Sequence, residues 1–333
     1  MKLQIILFTC WCCSLFCKEV FFDLTQNGLE QYQDIWVKGK VFKQAPGYLR
    51  FGNERFAIVD SELQKYKRAF TMLDIGASQG YFSFRCAEKY PQSTFVMLEG
   101  SNPYYRLISK QLASICTLNN HLTNVIWLDR SIIEGDLIRL SQCEHFDVVL
   151  AFNILHWFKD SWQNLFDAIH QMSHVAIFEV PPVESNNDPD QRALRGSLHS
   201  FLSSKASRIK KGVPRHTNPQ LTTTFYIIEN NKPFLIKRSS FHHSQFHDRE
   251  LIIYFDYIQK YLQKTPIASQ FPSTTTEWFP GINLMTYLHL NGKHPSRKTL
   301  CQYIPVDKSH RDWMANNMVV QGNTLLLIVD NSP

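Results

Sequence analysis

Between about residues 70 and 182, short apolar runs alternate with amphipathic stretches of helical length. This alternation is typical of βα units, which build a parallel sheet. The predicted strands are Met72–Ile75, Phe95–Leu98, Val125–Leu128, Val148–Phe152 and Val175–Val180, and the predicted helices are Gly80–Lys89, Tyr104–Leu118, Ile132–Leu140 and Trp157–Met172. The last helix has the clearest apolar period, and Pro181 and Pro182 end the fifth strand.

The chain after the fifth strand predicts one more helix and an antiparallel hairpin. Leucines and a phenylalanine recur at helical spacing within residues 184–211, and two apolar runs, Thr223–Glu229 and Pro233–Ser240, flank an Asn-Asn-Lys turn. Five parallel strands closed by this hairpin make an α/β fold with a doubly wound, mostly parallel seven-stranded sheet.

The remainder of the chain divides into segments of different character. We expect a leader at 1–22, a lead-in or cap at 23–69 that follows no clear pattern, the α/β domain at 70–245 and a small C-terminal extension at 246–333. The extension predicts a helix over Asp248–Gln263, a Pro/Ser/Thr-rich link and a final strand, Thr324–Val329.

The leader resembles a secretory signal. Met1-Lys2 precedes an uncharged run from Leu3 to Cys17, which is shorter than the ~20 residues that span a membrane. The pattern suggests a secretory or membrane-associated protein, with membrane contact only through this segment. A buried N-terminal helix or a mis-assigned start codon are the alternatives, and the protein would then be cytoplasmic.

Composition and cysteine spacing narrow the chemistry. With 44% hydrophobic residues, 24 Phe and 19% charged residues, the chain is typical of a folded globular protein, and its net charge of +6 permits an acidic partner without requiring one. The cysteines outside the leader lie singly, at Cys86, Cys116, Cys143 and Cys301. They predict buried free thiols in a reducing environment, which conflicts with export, and we assign no metal.

The first predicted strand runs into a glycine-containing turn, Asp74-Ile-Gly76-Ala-Ser78-Gln-Gly80, and the second ends at another acid, Glu99. Ligands of open parallel sheets bind beyond the carboxyl ends of the strands, where this turn lies. The spacing is G-x-x-x-G, unlike the G-x-G-x-x-G of dinucleotide sites, which disfavours a nicotinamide-dependent oxidoreductase. The features predict a nucleoside ligand without phosphates, although such turns and acids also occur as plain helix caps.

In these residues the chain resembles the class I S-adenosylmethionine-dependent methyltransferases. Their motif, acid-x-G-x-G-x-G, is present with Ser78 in place of the middle glycine. The resemblance implies S-adenosyl-L-methionine as cofactor and a methyltransferase that acts on an O or N acceptor, in a small molecule, RNA or protein. It assigns the methionine part to Asp74, Gly76 and Gly80, the ribose hydroxyls to Glu99 and the adenine amino group to Asp129. Ser78 and Asn153 complete the set of cofactor-binding candidates. A catalytically inactive cofactor-binding or scaffold protein is the alternative.

The end of the fourth predicted strand is where an acceptor should approach. It reads Asn153-Ile-Leu-His156-Trp157 and lacks the Asn-Pro-Pro-Tyr of enzymes that methylate base or glutamine amines. His156 is the candidate catalytic base because imidazole titrates near neutral pH, although packing in the turn is the commoner role. Glu179, on the fifth strand, is another polar group that could face the pocket.

Two further clusters have ordinary alternatives. Basic residues within Lys205–Arg215 could attract an acidic or nucleic-acid partner, but a solvated helix end explains them more simply. His310-Arg-Asp312 with Asn317, followed by Asp330, is similar to the catalytic-loop and metal-binding residues of protein kinases. No glycine-rich phosphate loop precedes this string, so coincidence or a kinase-like remnant is favoured over phosphoryl transfer.

Overall fold

A seven-stranded sheet organises the protein. The computed structural model describes residues 31–45, 52–100, 106–129, 133–214 and 220–230, together with four short strands at 267–270, 282–283, 318–321 and 324–328. The strands of the seven-stranded sheet are hydrogen-bonded in the order Val125–Leu128, Thr94–Leu98, Thr71–Ile75, Phe146–Phe152, Ser173–Val180, Thr222–Glu229 and Arg208–Pro214. The first five of these strands are parallel, whereas each of the last two runs antiparallel to the strand before it in this order. The predicted α/β class with a mostly parallel seven-stranded sheet is confirmed.

The elements follow one another as the alternating pattern predicts. The strands of this sheet and of a preceding hairpin are β1 (Ile35–Val37), β2 (Lys40–Lys43), β3 (Thr71–Ile75), β4 (Thr94–Leu98), β5 (Val125–Leu128), β6 (Phe146–Phe152), β7 (Ser173–Val180), β8 (Arg208–Pro214) and β9 (Thr222–Glu229). The helices are α1 (Gly52–Leu63), α2 (Tyr81–Lys89), α3 (Arg106–Leu118), α4 (Glu134–Cys143), α5 (Trp162–Met172) and α6 (Pro189–Lys205), with 3₁₀ turns at Leu155–Trp157 and Val183–Ser185.

Both faces of the sheet are covered, which explains the unbroken apolar runs. Every residue of β3 and of β4 is buried. One face packs against α4, α5 and α6. The other packs against α1 and α2, with Phe56, Val59 and Leu63 contributed by α1. The segment between residues 52 and 63, which no pattern placed, therefore supplies part of the core.

The predicted hairpin is wrong in its partner strand. Thr222–Glu229 forms a strand, but it pairs with Arg208–Pro214 rather than with 233–240, which lies outside the described residues. Asn230 does not serve a turn between those strands, because its amide donates to the His174 carbonyl at 2.8 Å and its side chain to the His170 carbonyl at 3.1 Å. These bonds anchor the end of β9 beside β7.

The expectation that the basic residues of Lys205–Arg215 form a solvated helix end is also wrong for most of them. Helix α6 stops at Lys205, and Arg208, Lys210 and Lys211 lie on β8, the edge strand of the described sheet. Alternating exposure along β8 identifies a half-covered strand. Glu62 on α1 accepts from Arg208 at 2.7 Å and lies 3.5 Å from the Lys210 ammonium, so part of this basic charge is already paired.

The helix predicted from Trp157 to Met172 is two elements. A 3₁₀ turn covers Leu155–Trp157, and α5 begins at Trp162 after Ser161. Phe158 keeps its apolar contact with the core although it lies between the two elements. The apolar period thus marks the buried side chains without showing that the backbone breaks.

The C-terminal strands form a second sheet with the order β10-β13-β12-β11, where β10 is Ile267–Gln270, β11 Ile282–Asn283, β12 Met318–Gln321 and β13 Thr324–Ile328. The predicted final strand ends one residue earlier than expected. The leader at 1–22, the helix expected over 248–263 and Cys301 lie outside the described residues. Within the described part, Cys86 is buried and Cys116 half-buried, both as free thiols, and no helix is long and apolar enough to cross a membrane.

Candidate active site

The turn after β3 has an unusual backbone. Gly76, Ser78 and Gly80 all have positive φ, at 74°, 51° and 72°. A Cβ on Gly80 would lie 2.6 Å from a Phe84 ring carbon and 2.8 Å from the Met97 sulfur, so only glycine fits there. Ser78 occupies the left-handed backbone region, at the position where the family motif has glycine. This conformation has a free-energy cost for any residue that carries a side chain. The contacts around the turn therefore maintain a backbone conformation that is unfavourable for an isolated chain.

The second-strand acid closes this turn. Ile75 and Leu98 are opposite each other in the parallel pair β3–β4, so Gly76 and Glu99 follow them at the same edge of the sheet. The Ser78 amide donates to Glu99 Oε2 at 2.8 Å, and the Gly76 amide donates to the Leu98 carbonyl at 2.9 Å. The structure thus brings together two of the sequence features that predicted a nucleoside site.

Burial raises the pKa of both acids beside the turn. Asp74 is 3% exposed, and burial raises its pKa to about 7, with a small opposing effect from the Ser83 hydroxyl that donates to it at 3.0 Å. Burial also raises the pKa of Glu99, while the amides of Ser78 and Gly100 oppose the rise. Asp74 is buried and Glu99 is half-buried, and negative charge placed so far from water favours a ligand that carries positive charge.

The next two acids extend this character along the edge. Asp129 follows β5 and is exposed. The main cause of the raised pKa of Glu99 is burial, and the Asp129 charge raises this pKa further, by less than burial does. Glu179 lies near the carboxyl end of β7 and is buried. The ligand edge of the sheet is therefore acidic from β5 across to β7.

The half-buried Asn153 and the buried Glu179 form a polar pair at the ends of β6 and β7. Asn153 has a φ of 56°; its amide donates to the Glu179 carbonyl at 2.9 Å and its Nδ2 to Glu179 Oε2 at 2.9 Å. Its Oδ1 is buried and has no hydrogen-bond partner among the residues that the structure describes. A buried acceptor without a donor costs free energy, so this atom is poised for a ligand N–H or O–H.

Arg55 completes this pair, and sequence reasoning missed it. Its Nε donates to Glu179 Oε1 at 2.9 Å, and its side chain is 13% exposed. Burial lowers the pKa of this guanidinium, but the charge and hydrogen bond of Glu179, together with Tyr32 and Glu54, outweigh burial, and the pKa is raised from its ordinary value. Arg55 comes from α1, a segment with no readable pattern, and lies 124 residues from Glu179 in sequence. No local signal could have identified the contact.

A second lead-in residue reaches the glycine turn. The Gln33 backbone amide donates to Gln79 Oε1 at 3.2 Å, and the Tyr81 amide donates to Gln33 Oε1 at 3.3 Å. Gln79 in turn donates to Gln111 Oε1 at 3.0 Å. The chain before β3 thus fixes both the turn and the first residue of α2.

His156 lies in the 3₁₀ turn just beyond β6, on the ligand side of the sheet. It is 8% exposed, and its ring centroid is 5.1 Å from that of Trp157, which is 70% exposed. The structure brings His156 to the correct edge, yet places it mostly inside the turn. Its role in catalysis stays a prediction.

The described residues contain no group of three His, Cys, Asp or Glu side chains that could hold a metal ion. The acidic edge, the open turn and the unpartnered Asn153 oxygen instead suit an organic cation with hydroxyl and ammonium donors. S-adenosylmethionine, with its sulfonium, ammonium and ribose hydroxyls, has these groups.

Comparison with known proteins gives the same class. Residues 73–174 match the family model described as a methyltransferase domain. This match bears out the predicted methyltransferase resemblance, and the cofactor predicted from the motif, S-adenosyl-L-methionine, agrees with it. No curated protein matches the chain.

Solved structures with similar folds are distant in sequence. WbdD, crystallised with the kinase inhibitor LY294002, is 16% identical over 92% of this chain and 81% of its own, with a TM-score of 0.51. A second WbdD structure, described as a bifunctional kinase-methyltransferase, is 16% identical over 92% of this chain and 80% of its own, with a TM-score of 0.46. The N-methyltransferase NodS from Bradyrhizobium japonicum, in complex with S-adenosyl-L-homocysteine, is 13% identical over 55% of this chain and 88% of its own, with a TM-score of 0.40.

Proposed function

We propose that this protein transfers the methyl group of S-adenosylmethionine to an oxygen or nitrogen atom of an acceptor. The observation that carries the proposal is the 2.8 Å bond between the Ser78 amide and Glu99 Oε2, because it joins the glycine turn and the second acid in one site. The match to a methyltransferase domain supports the same activity. The lack of an Asn-Pro-Pro-Tyr sequence after β6 disfavours base and glutamine amines as acceptors.

The described residues suit distinct parts of the cofactor. Glu99 has one carboxylate oxygen free of the Ser78 amide and would accept from the ribose hydroxyls, while Asp129 would receive the adenine amino group. The backbone of the turn from Gly76 to Gly80 leaves space beside the methionine part. The unpartnered Oδ1 of Asn153 would accept from the methionine ammonium.

The bound cofactor supplies a methyl group activated by a positively charged sulfur. In the transfer, a lone pair of the acceptor forms the new bond to the methyl carbon as the carbon–sulfur bond breaks, and the acceptor loses its proton. The protein's part is alignment, which contributes much of the rate in such a displacement. In this proposal His156 takes the released proton, since it lies at the ligand edge beyond β6.

Release of S-adenosylhomocysteine in the presence of candidate acceptors tests the activity. We expect turnover with wild-type protein and with Asp167→Ala, an exposed carboxylate on α5. Glu99→Ala should raise the KM for the cofactor, and His156→Gln should lower kcat and remove the acidic limb of its pH profile. Tight cofactor binding with no turnover for any acceptor would instead support an inactive binding protein.

We propose a second function, phosphoryl transfer, for the C-terminal extension. Strand β12 begins directly after Asn317, and β13 ends two residues before Asp330, with Met318 opposite Leu327. In this register the first residue of β12 and the end of β13 lie at the same end of the hairpin. Similarity of fold to WbdD over 92% of this chain supports the proposal.

In this second site Asp312 would accept the proton of a hydroxyl substrate, and Asn317 and Asp330 would bind Mg²⁺. The test is transfer of the terminal phosphoryl group of labelled ATP in the presence of Mg²⁺. We expect Asp312→Asn to abolish transfer and leave methyl transfer unchanged. Wild-type protein that neither binds ATP nor releases ADP would contradict the proposal.

A further inference from the structure

The amide of Asn153 is held in one orientation by its neighbours. Nδ2 donates to the Glu179 carboxylate at 2.9 Å, and the reversed amide would set Oδ1 against that carboxylate. Two acceptors cannot share a hydrogen bond, so the observed orientation is the one the site permits. Oδ1 is therefore directed away from Glu179 and is buried without a partner.

This orientation depends on Glu179 being both charged and fixed. The Glu179 side chain is 1% exposed, and a carboxylate so far from water is costly unless a cation compensates it. Arg55 supplies that cation through Nε, while Asn153 occupies the other carboxylate oxygen. Each oxygen thus has a donor, and the chain Arg55–Glu179–Asn153 ends at the free Oδ1.

The ion pair also joins two parts of the fold. Arg55 belongs to α1, which packs with α2 against one face of the sheet. Glu179 and Asn153 lie at the carboxyl ends of β7 and β6. The position of α1 is in turn fixed by the buried Phe56, Val59 and Leu63. A helix outside the matched methyltransferase residues therefore contacts Glu179, which in turn holds Asn153, a residue inside the match.

We propose that Arg55 is a positioning residue for cofactor binding: through Glu179 it orients Asn153 so that Oδ1 receives the ammonium of the cofactor's methionine part. This inference rests on the proposed function, because it assigns Asn153 to the methionine end of the donor site. Arg55 itself does not contact the cofactor. Its effect should be confined to ligands that carry the amino-acid part.

Calorimetric titration of the full chain with two ligands tests the proposal. S-adenosylhomocysteine carries the amino-acid part, and 5′-methylthioadenosine lacks it. We expect Arg55→Met to weaken S-adenosylhomocysteine binding by about tenfold to a hundredfold, the scale of a lost charge-assisted hydrogen bond. Binding of 5′-methylthioadenosine should change less than twofold, and Arg55→Lys should restore part of the loss.

The matched control is Arg68→Met. Arg68 donates to Asp147 at 2.5 Å at the opposite edge of the same sheet, before β3 and at the start of β6. Removing this pair perturbs an Arg–carboxylate contact of the same kind, so it reports any general effect on the fold. We expect it to leave the affinity for both ligands unchanged.

A double-variant cycle decides whether Arg55 acts through Asn153. If it does, Arg55→Met combined with Asn153→Ala should bind S-adenosylhomocysteine no more weakly than Asn153→Ala alone. The proposal would be overturned if the losses of binding free energy from Arg55→Met and Asn153→Ala were additive in the double variant. It would also be overturned if folded Arg55→Met and Arg55→Lys each lost as much affinity for 5′-methylthioadenosine as for S-adenosylhomocysteine. Unchanged S-adenosylhomocysteine affinity in either folded variant would overturn it too.

The same titrations separate this inference from the proposed function. Glu99→Ala should weaken both ligands, because ribose and adenine are common to them. If wild-type protein bound neither ligand, the donor site itself would be wrong. If Glu99→Ala weakened both and Arg55→Met neither, the donor site would stand and the role of Arg55 would fall.

Discussion

Substitution of Asp74 by asparagine should change how the stability of the cofactor-free protein depends on pH. Asp74 is buried in β3, its described hydrogen bond comes from Ser83, and burial raises its pKa from 3.8 to about 7. Between these two values the folded protein keeps a proton that the unfolded chain has lost. The wild-type free energy of unfolding should therefore fall as pH rises through this window and level off above about 7.

The expected size follows from the width of the window. From pH 5 to the folded pKa of about 7 there are about two pH units, and each contributes 1.36 kcal/mol for one proton, or about 3 kcal/mol in all. Asparagine does not titrate and can still accept from Ser83. The stability of Asp74→Asn relative to wild type should thus rise by about 3 kcal/mol between pH 5 and pH 8.

Urea unfolding at pH 5, 6, 7 and 8, without cofactor, measures this difference. Comparing the variant with wild type at each pH cancels the titration of every other group, provided that the m-values agree. Asp160→Asn, at an exposed carboxyl in the turn before α5, is the control and should follow wild type at every pH. Parallel stability curves for Asp74→Asn and wild type would refute the assignment of a buried, proton-retaining carboxyl at this position.

Three further predictions concern the turn and the ribose acid. Glu99→Ala should weaken cofactor binding by about 1–3 kcal/mol in calorimetry, and an unchanged affinity would remove Glu99 from the site. Gly76→Val should abolish cofactor binding, because a β-branched residue is strained at a φ of 74°; normal binding would show that the turn is wrongly placed. Gly80→Ala should lower the free energy of unfolding by about 1–3 kcal/mol, since its Cβ would meet the Phe84 ring. Gly135→Ala, in α4 with nothing within 4 Å, should instead raise stability by about 0.5–1 kcal/mol, and equal effects of both changes in urea unfolding would contradict the contact.

The parallel strands were predictable because a strand that is buried on both faces is apolar at every position, and this is visible in its own sequence. Each of β3 and β4 is buried along its whole length, so each appears as an unbroken apolar run flanked by turn residues. The acid at the end of each run has the same local origin. The turn after β3 and Glu99 after β4 could therefore be assigned to one edge of the sheet from sequence, and the Ser78–Glu99 bond joins them there.

The hairpin and Arg55 were not predictable because their partners are chosen at long range. Strand β9 was expected to pair with 233–240, and its actual pairing with β8 is accompanied by bonds from Asn230 to His170 and His174, far earlier in the chain. A strand such as β8, basic and half-exposed at a sheet edge, has no apolar run to mark it. An arginine on a helix without a readable pattern likewise gives no sign that it will meet a buried carboxylate.

These long-range contacts bear on where the functional unit begins. The family match starts at residue 73, yet Gln33 bonds to the glycine turn and Arg55 compensates Glu179 beside Asn153. Without α1, the sheet face that Phe56 and Leu63 cover would be exposed. Glu179 would then be a buried charge without its Arg55 partner. In the proposed cofactor site, the residues that resemble the family supply the groups that would face the cofactor, whereas contacts from the preceding segment fix the orientation of these groups. The proposed site therefore needs both parts of the chain.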